Sequence, residues 1–144
     1  MGVLILLPAM PKAPGPFRRA ILAARERSDD ARAVCVMSEE AQSFDPSGAH
    51  DVAEKVAQGM AQQQQERAEL DIAALEKLAM RCGLELSTSI EIGELPDVAR
   101  DLVRASTAQH LVLIRPRSTA LQDLVDRTVE VLGEEFDGEL LVIE

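Results

Sequence analysis

The sequence predicts an α/β protein of three layers, with a five-stranded parallel sheet carrying helices on both faces. Three observations carry this. Five short apolar runs recur along the chain, segments of helical periodicity separate them, and the first run is almost continuously apolar. An unbroken apolar run marks a strand covered on both sides, and strict strand–helix alternation calls for right-handed parallel crossovers. At 144 residues the chain has the length of about one domain, and residues 1–144 are expected to form a single one.

Taken in order, Val3 to Leu7 forms the first strand. After the turn-rich PAMPKAPGP, Phe17, Ala20, Ile21 and Ala24 repeat at the spacing of one helix face. ARAVCVM (31–37) is the second strand, with Asp29 and Asp30 in the turn before it. Residues 38–50, with Pro46 and Gly48, read as a loop. A long helix follows from Asp51 to Cys82. Val52, Val56 and Met60 line one part of its face, and Ile72, Leu75, Leu78 and Cys82 line the rest. Gln62 to Gln65 continue it as a solvated stretch, because glutamine is a good helix former. Gly83 closes it at the C′ position. LELSTSIEI (84–92) alternates as a strand near a sheet edge. Pro96 sits in the first turn of the next helix, where a missing N–H costs nothing, and Val98, Leu102, Val103 and Ala105 are its apolar face. LVLI (111–114) is the fourth strand. Thr119 and Gln122 have capping-box spacing, so the last helix starts there and buries Leu121, Leu124, Thr128 and Leu132. Glu139 to Ile143 is the fifth strand.

Composition excludes several functions. The net charge of −10 and pI near 4.7 repel phosphate backbones and anionic membranes. Aromatics are 2%, with no Trp or Tyr, and so few aromatic anchors argue against stacking platforms for single-stranded nucleic acid. The opening VLILL has no basic flank and is too short to span a bilayer, so the protein is expected in the cytoplasm. Cys35 lies in a strand and Cys82 at a helix end, without CxxC or metal spacing, and both read as reduced packing residues. His50 and His110 have no partner ligand at metal spacing. Lys12 lacks the glycine turn and the following Ser or Thr of a phosphate loop. Glu39-Glu40 and Glu134-Glu135 read as solvated faces. No general base, metal cluster or activated nucleophile stands out, so an enzyme is not expected, weak nucleotide hydrolysis being the outlying alternative.

The most informative stretch is His110 to Glu144. A strand opening into a helix is where α/β sheets hold phosphates, on helix-start N–H groups. Such a turn usually requires glycine, yet none occurs between Gly93 and Gly133. The turn instead reads Arg115-Pro116-Arg117-Ser118. Two guanidiniums with Ser118 and Thr119 would grip a phosphate or carboxylate; alternatively the arginines solvate the loop and balance acids such as Asp123 and Asp126.

VLILLPAM followed by an Ala-rich helix is similar to the opening of universal stress protein domains, whose first strand typically reads ILVPVDGS. GLELSTSIEIGELPDVARDLVRASTAQHLVLI resembles the family's third strand, Gly-Asp-Pro-like turn, third helix and fourth strand. The final helix and ELLVIE also fall where the family places them. This resemblance implies a sheet in the order 3-2-1-4-5, of the HUP or adenine nucleotide alpha hydrolase-like class, and dimers formed through the last strand. It also implies ATP held by an aspartate ending the first strand and by a G-x-x-G, nine-residue, G-S/T motif after the fourth. Here Met10 stands in place of the aspartate, Arg115 to Ser118 replace the glycines, and Asp126 and Arg127 fall near the closing Gly-Ser. ATP binding in the family manner is therefore not expected, and no cofactor is.

Two functions follow as expectations. The first is a cytoplasmic, stress-response regulatory module. It would pair as a homodimer through Leu140, Leu141, Val142 and Ile143 and act on a protein partner such as a transporter or another stress protein. The second is a nucleotide or anion sensor, for ATP or AMP among others. Its floor would be Pro8, Ala9 and Met10, its side Met37 and Ser38, and its clamp Arg115, Arg117, Ser118 and Thr119, with Arg127 nearby.

Overall fold

The computed structural model describes residues 2–9, 16–37, 51–106, 108–116 and 119–144, with side chains for all of these except 51–61, 119 and 120. The elements alternate as β1 (Val3–Pro8), α1 (Phe17–Arg27), β2 (Asp30–Met37), α2 (Asp51–Cys82), β3 (Glu85–Ile92), α3 (Leu95–Ala105), β4 (His110–Ile114), α4 (Thr119–Glu135) and β5 (Glu139–Ile143). The five strands form one sheet in the order β3-β2-β1-β4-β5, and every neighbouring pair is parallel.

Two apolar layers sandwich the sheet, as alternation along buried parallel strands requires. On one side Val3, Ile5 and Leu7 of β1 and Ala33 and Cys35 of β2 pack with α1 and α2. On the other, Leu4, Leu6, Leu111 and Leu113 pack with α3 and α4. The predicted face of α1 is the observed one, since Phe17, Ala20, Ile21 and Ala24 are all fully buried. In α4, Thr128 and Leu132 are buried as expected. Thr128 is satisfied inside the helix because its Oγ1 donates to the Leu124 carbonyl at 2.8 Å.

Three details differ from the sequence reading. Asp30 is the first residue of β2 and not part of the turn, because its register partner Glu85 opens β3 opposite it. Leu84 precedes β3 as a buried residue. Ala105 is exposed, because the buried stripe of α3 is centred on Leu95 and Ala99 and Ala105 falls off it.

Helix α2 is continuous over its 32 residues, about 48 Å at 1.5 Å per residue. Gly83 follows it with φ +73°, the left-handed C′ conformation that costs glycine nothing. Its packed face includes two polar groups. Asp71 is fully buried, and its Oδ1 accepts from Arg67 Nη2 at 2.7 Å and from Nε at 3.0 Å.

Cys35 lies beneath this ion pair. Burial pushes its thiol up to about 12, and the Asp71 charge adds to the shift while Arg67 opposes it. A thiol in that state is a poor nucleophile. Iodoacetamide is therefore expected to label the half-buried Cys82 in the folded protein and Cys35 only after unfolding. Mass spectrometry of the adducts checks this, and equal labelling rates would contradict it.

Candidate functional site

In an open parallel sheet, ligands bind outside the carboxyl ends of the strands where the strand order reverses. Here the chain passes from β1 to β2 on one side and returns as β4 on the other, so that point lies between β1 and β4. The register Leu6↔Leu113, carried two residues on, sets Pro8 level with Arg115. Pro8↔Val36 sets Ala9 beside Met37. The fold therefore brings Pro8, Ala9, Met37 and Arg115 to one rim. Met10, Ser38, Arg117 and Ser118 lie outside the described residues, as do Lys12, Glu39, Glu40 and His50. Thr119 is the first residue of α4, and Arg127 is exposed on the same helix.

Two backbone donors described at this rim are already committed. The Ala9 N–H donates to the Val36 carbonyl at 3.0 Å, and the Arg115 N–H to the Ile143 carbonyl at 2.8 Å. Proline has no N–H, so Pro8 and the buried Pro116 add none. Pro8, Ala9, Arg115 and Pro116 therefore offer a phosphate no free amide.

The Arg115 side chain is committed as well. Its Nε and Nη2 donate to the two carboxylate oxygens of Asp126 at 3.1 and 3.2 Å, and Nη1 donates to Glu144 at 3.0 Å. The fork onto Asp126 is the bidentate geometry that guanidinium and carboxylate share. The hydrogen bond to Asp126 is the first cause raising the Arg115 pKa, with the Glu144 charge adding to it. Of the two readings of the basic loop, the pairing with Asp126 is therefore present in the structure. Glu144 is a partner that sequence reasoning did not name, since nothing local points across 29 residues.

A second cluster sits at the opposite, amino edge of the sheet. Arg27, in the last turn of α1, forks onto Glu139 through Nε and Nη2, and His110 Nδ1 lies 3.0 Å from Glu139 Oε1. The Arg27 hydrogen bond, reinforced by His110, holds the Glu139 carboxyl below its ordinary range. At the same edge a groove of about 500 Å3 opens, lined in part by Asp30, Arg32, Glu85, Ser87 and Ser106. It lies at the far end of the strands from Arg115, so it is separate from the rim that sequence and topology single out. Among the described residues no three potential ligands gather to hold a metal ion, and no helix is long and apolar enough to cross a membrane.

Comparison with known proteins finds no matching family model and no matching curated protein. Solved structures do match. The hypothetical protein MJ0577 superimposes with a TM-score of 0.67 at 13% identity over 97% of this chain and 94% of that one. The universal stress protein UspA from Lactobacillus plantarum gives 0.66 at 15% identity over 99% and 97%. The universal stress protein from Archaeoglobus fulgidus in complex with dAMP gives 0.60 at 15% identity over 100% and 98%.

Proposed function

We infer, for a chain with the universal stress protein fold, a cytoplasmic regulatory module that works by protein contact, without family-style ATP binding and without catalysis. The observation that carries this reading is Arg115. Its guanidinium is spent on Asp126 and Glu144 where a nucleotide phosphate would otherwise be met, and the strand-end amides beside it are spent on the sheet. Displacing two carboxylates to seat a phosphate costs the anion much of what it would gain.

The contact surface is the edge strand β5. The sheet has two edges, β3 and β5, and they differ in chemistry. β3 turns Glu85, Ser87, Ser89 and Glu91 to one face, and the exposed glutamates guard that edge against pairing. β5 carries Leu140, Leu141, Val142 and Ile143 in a row, with Val142 40% exposed. Glu139 donates its N–H to the Gln109 carbonyl and Ile143 accepts from Arg115, so these residues turn their backbone groups toward β4. By alternation, Leu140 and Val142 turn theirs outward. A second copy running antiparallel, with the two-fold axis at Leu141, would pair Leu140 of each copy with Val142 of the other and satisfy all of these groups.

Sedimentation velocity at micromolar concentration, with thermal melts in millimolar ATP, ADP, AMP and dAMP plus magnesium, tests the proposal. A dimer with flat melts is expected. A monomer throughout would sink it. The second reading, an anion sensor clamped by Arg115 and Arg117, draws on the dAMP complex of the Archaeoglobus fulgidus protein. A melt that rises and saturates with nucleotide would favour that reading, the gain being about 2.7 kcal/mol at a hundred times Kd.

A further inference from the structure

The groove at the amino edge of the sheet plays no part in either reading above. It opens on the side of α3 and α4, since Leu4 and Ala108, which line it, belong to that apolar layer. Among the described residues no β3 side chain joins that layer, so this face of β3 stays polar. Register then sets out the charges. Asp30 lies beside Glu85 and, two residues on, Arg32 lies beside Ser87. Alternation turns all four to the face of Leu4, whose own partner on β2 is Arg32. One row therefore carries two carboxylates, and the next carries a guanidinium and a hydroxyl, about 6.6 Å away along the strands.

These opposite charges do not pair with each other. Arg32 extends the other way, where Nη2 donates to Ser89 Oγ at 3.3 Å, and Asp30 Oδ1 accepts from Ser28 Oγ at 2.7 Å. Among the described residues no carboxylate is paired with Arg32, and no cation with Asp30 or Glu85. Like charges side by side across strands are unfavourable, so Asp30 and Glu85 gain from a cation between them. Two further features favour one there. Ser106, in the wall of the groove, is the C-cap of α3, and the carbonyl end of a helix carries negative partial charge. Gly2 is level with Asp30, by the pairing of Val3 with Ala31 carried one residue back. A Cβ on Gly2 would meet nothing within 4 Å, so the groove runs open past Asp30.

We propose that this groove binds a small zwitterion. Its ammonium sits between Asp30 and Glu85, its carboxylate meets Arg32 and Ser87, and a short alkyl chain crosses Leu4 between them. Arg32 thereby exchanges one long bond to a neutral hydroxyl for a carboxylate, the stronger acceptor. The spacing of the two rows suits an ω-amino acid better than an α-amino acid, whose charged groups share one carbon. The site uses neither β5 nor Arg115 and stands apart from the regulatory reading.

The probe is δ-aminovalerate, with n-pentylamine and valerate as its two halves, each titrated into the full chain and followed by amide chemical shifts. Saturating shifts centred on Asp30, Arg32 and Ser87 are expected, with each half binding about tenfold more weakly than the zwitterion. Arg32→Gln is expected to weaken δ-aminovalerate about tenfold, the scale of one hydrogen bond to a charged group, without weakening n-pentylamine. Glu85→Gln is expected to weaken both ammonium ligands without weakening valerate. Gly2→Val, which fills the groove and changes no charge, is expected to abolish binding of all three. Melting curves establish folding. Should Gly2→Val unfold the chain, Arg32→Gln and Glu85→Gln, both at exposed positions, decide alone. A chain with no saturating shift, or one that binds n-pentylamine as tightly as the zwitterion, overturns the inference. So does a δ-aminovalerate affinity unmoved by Arg32→Gln. None of these results bears on pairing through β5.

Discussion

Val142→Pro is expected to raise the dissociation constant of the proposed β5-paired dimer roughly 30-fold while leaving the monomer folded. The N–H of Val142 turns away from β4, because Glu139 and Ile143 commit their own backbone groups to that neighbour and orientation alternates along a strand. Proline is tolerated in an edge strand when the missing N–H faces outward, so the sheet loses no ladder bond. The dimer loses one bond from each copy. Two bonds at about 1 kcal/mol each amount to roughly 30-fold in affinity. Ile143→Pro makes the control, since it removes a donor facing β4 and should loosen β5 in the monomer. An unchanged association constant in Val142→Pro would exclude this edge as the contact.

Arg67→Met is expected to lower the melting temperature by roughly 10 °C. Asp71 is fully buried and Arg67 holds its Oδ1 through two nitrogens, 2.7 and 3.0 Å away. Withdrawing one member of a buried ion pair leaves a charge in a low-dielectric site and costs about 3–5 kcal/mol. At 2–4 °C per kcal/mol for a domain near this size, the shift is on the order of 10 °C. Helix electrostatics do not explain the pair, because the acid-before-base order that favours isolated helices is reversed here. Replacing both residues by apolar ones of similar volume should be close to neutral. A loss under about 2 °C in the single variant would show that Asp71 is sufficiently held by other groups.

These expectations mark how far the sequence could be read. The strands and helices were legible because each rests on contacts between near neighbours. Phe17, Ala20, Ile21 and Ala24 fall on one face of any helix, and Val3 to Leu7 is apolar enough to need cover on both sides. Asp71 was not picked out, although a signal was present. It lies four residues before Leu75 on the buried stripe of α2, with Arg67 four before it. An acid on an apolar stripe, with an arginine one turn away, is the pattern of a buried pair.

The candidate site was legible only in part. The missing glycines after β4 and the arginines in their place could be read directly, and Asp126 was a visible counter-charge because it lies within the following helix. Glu144 as a partner of Arg115 was not visible, nor was Glu139 as a partner of Arg27, 112 residues away. Those pairs exist because the sheet order sets β5 beside β4 and lays α1 against the same edge.

By itself, the sequence determined the alternation of elements, the apolar faces of α1 and the sheet, and the absence of glycine from the turn after β4. Each is written in residue type and short-range period, and a change of side chain is felt within a turn or two. Only the tertiary structure decided which carboxylates occupy Arg115, which backbone groups of β5 turn outward, and that Asp71 is sealed from water. These depend on which strands lie side by side, and that follows from packing the whole chain around two apolar layers.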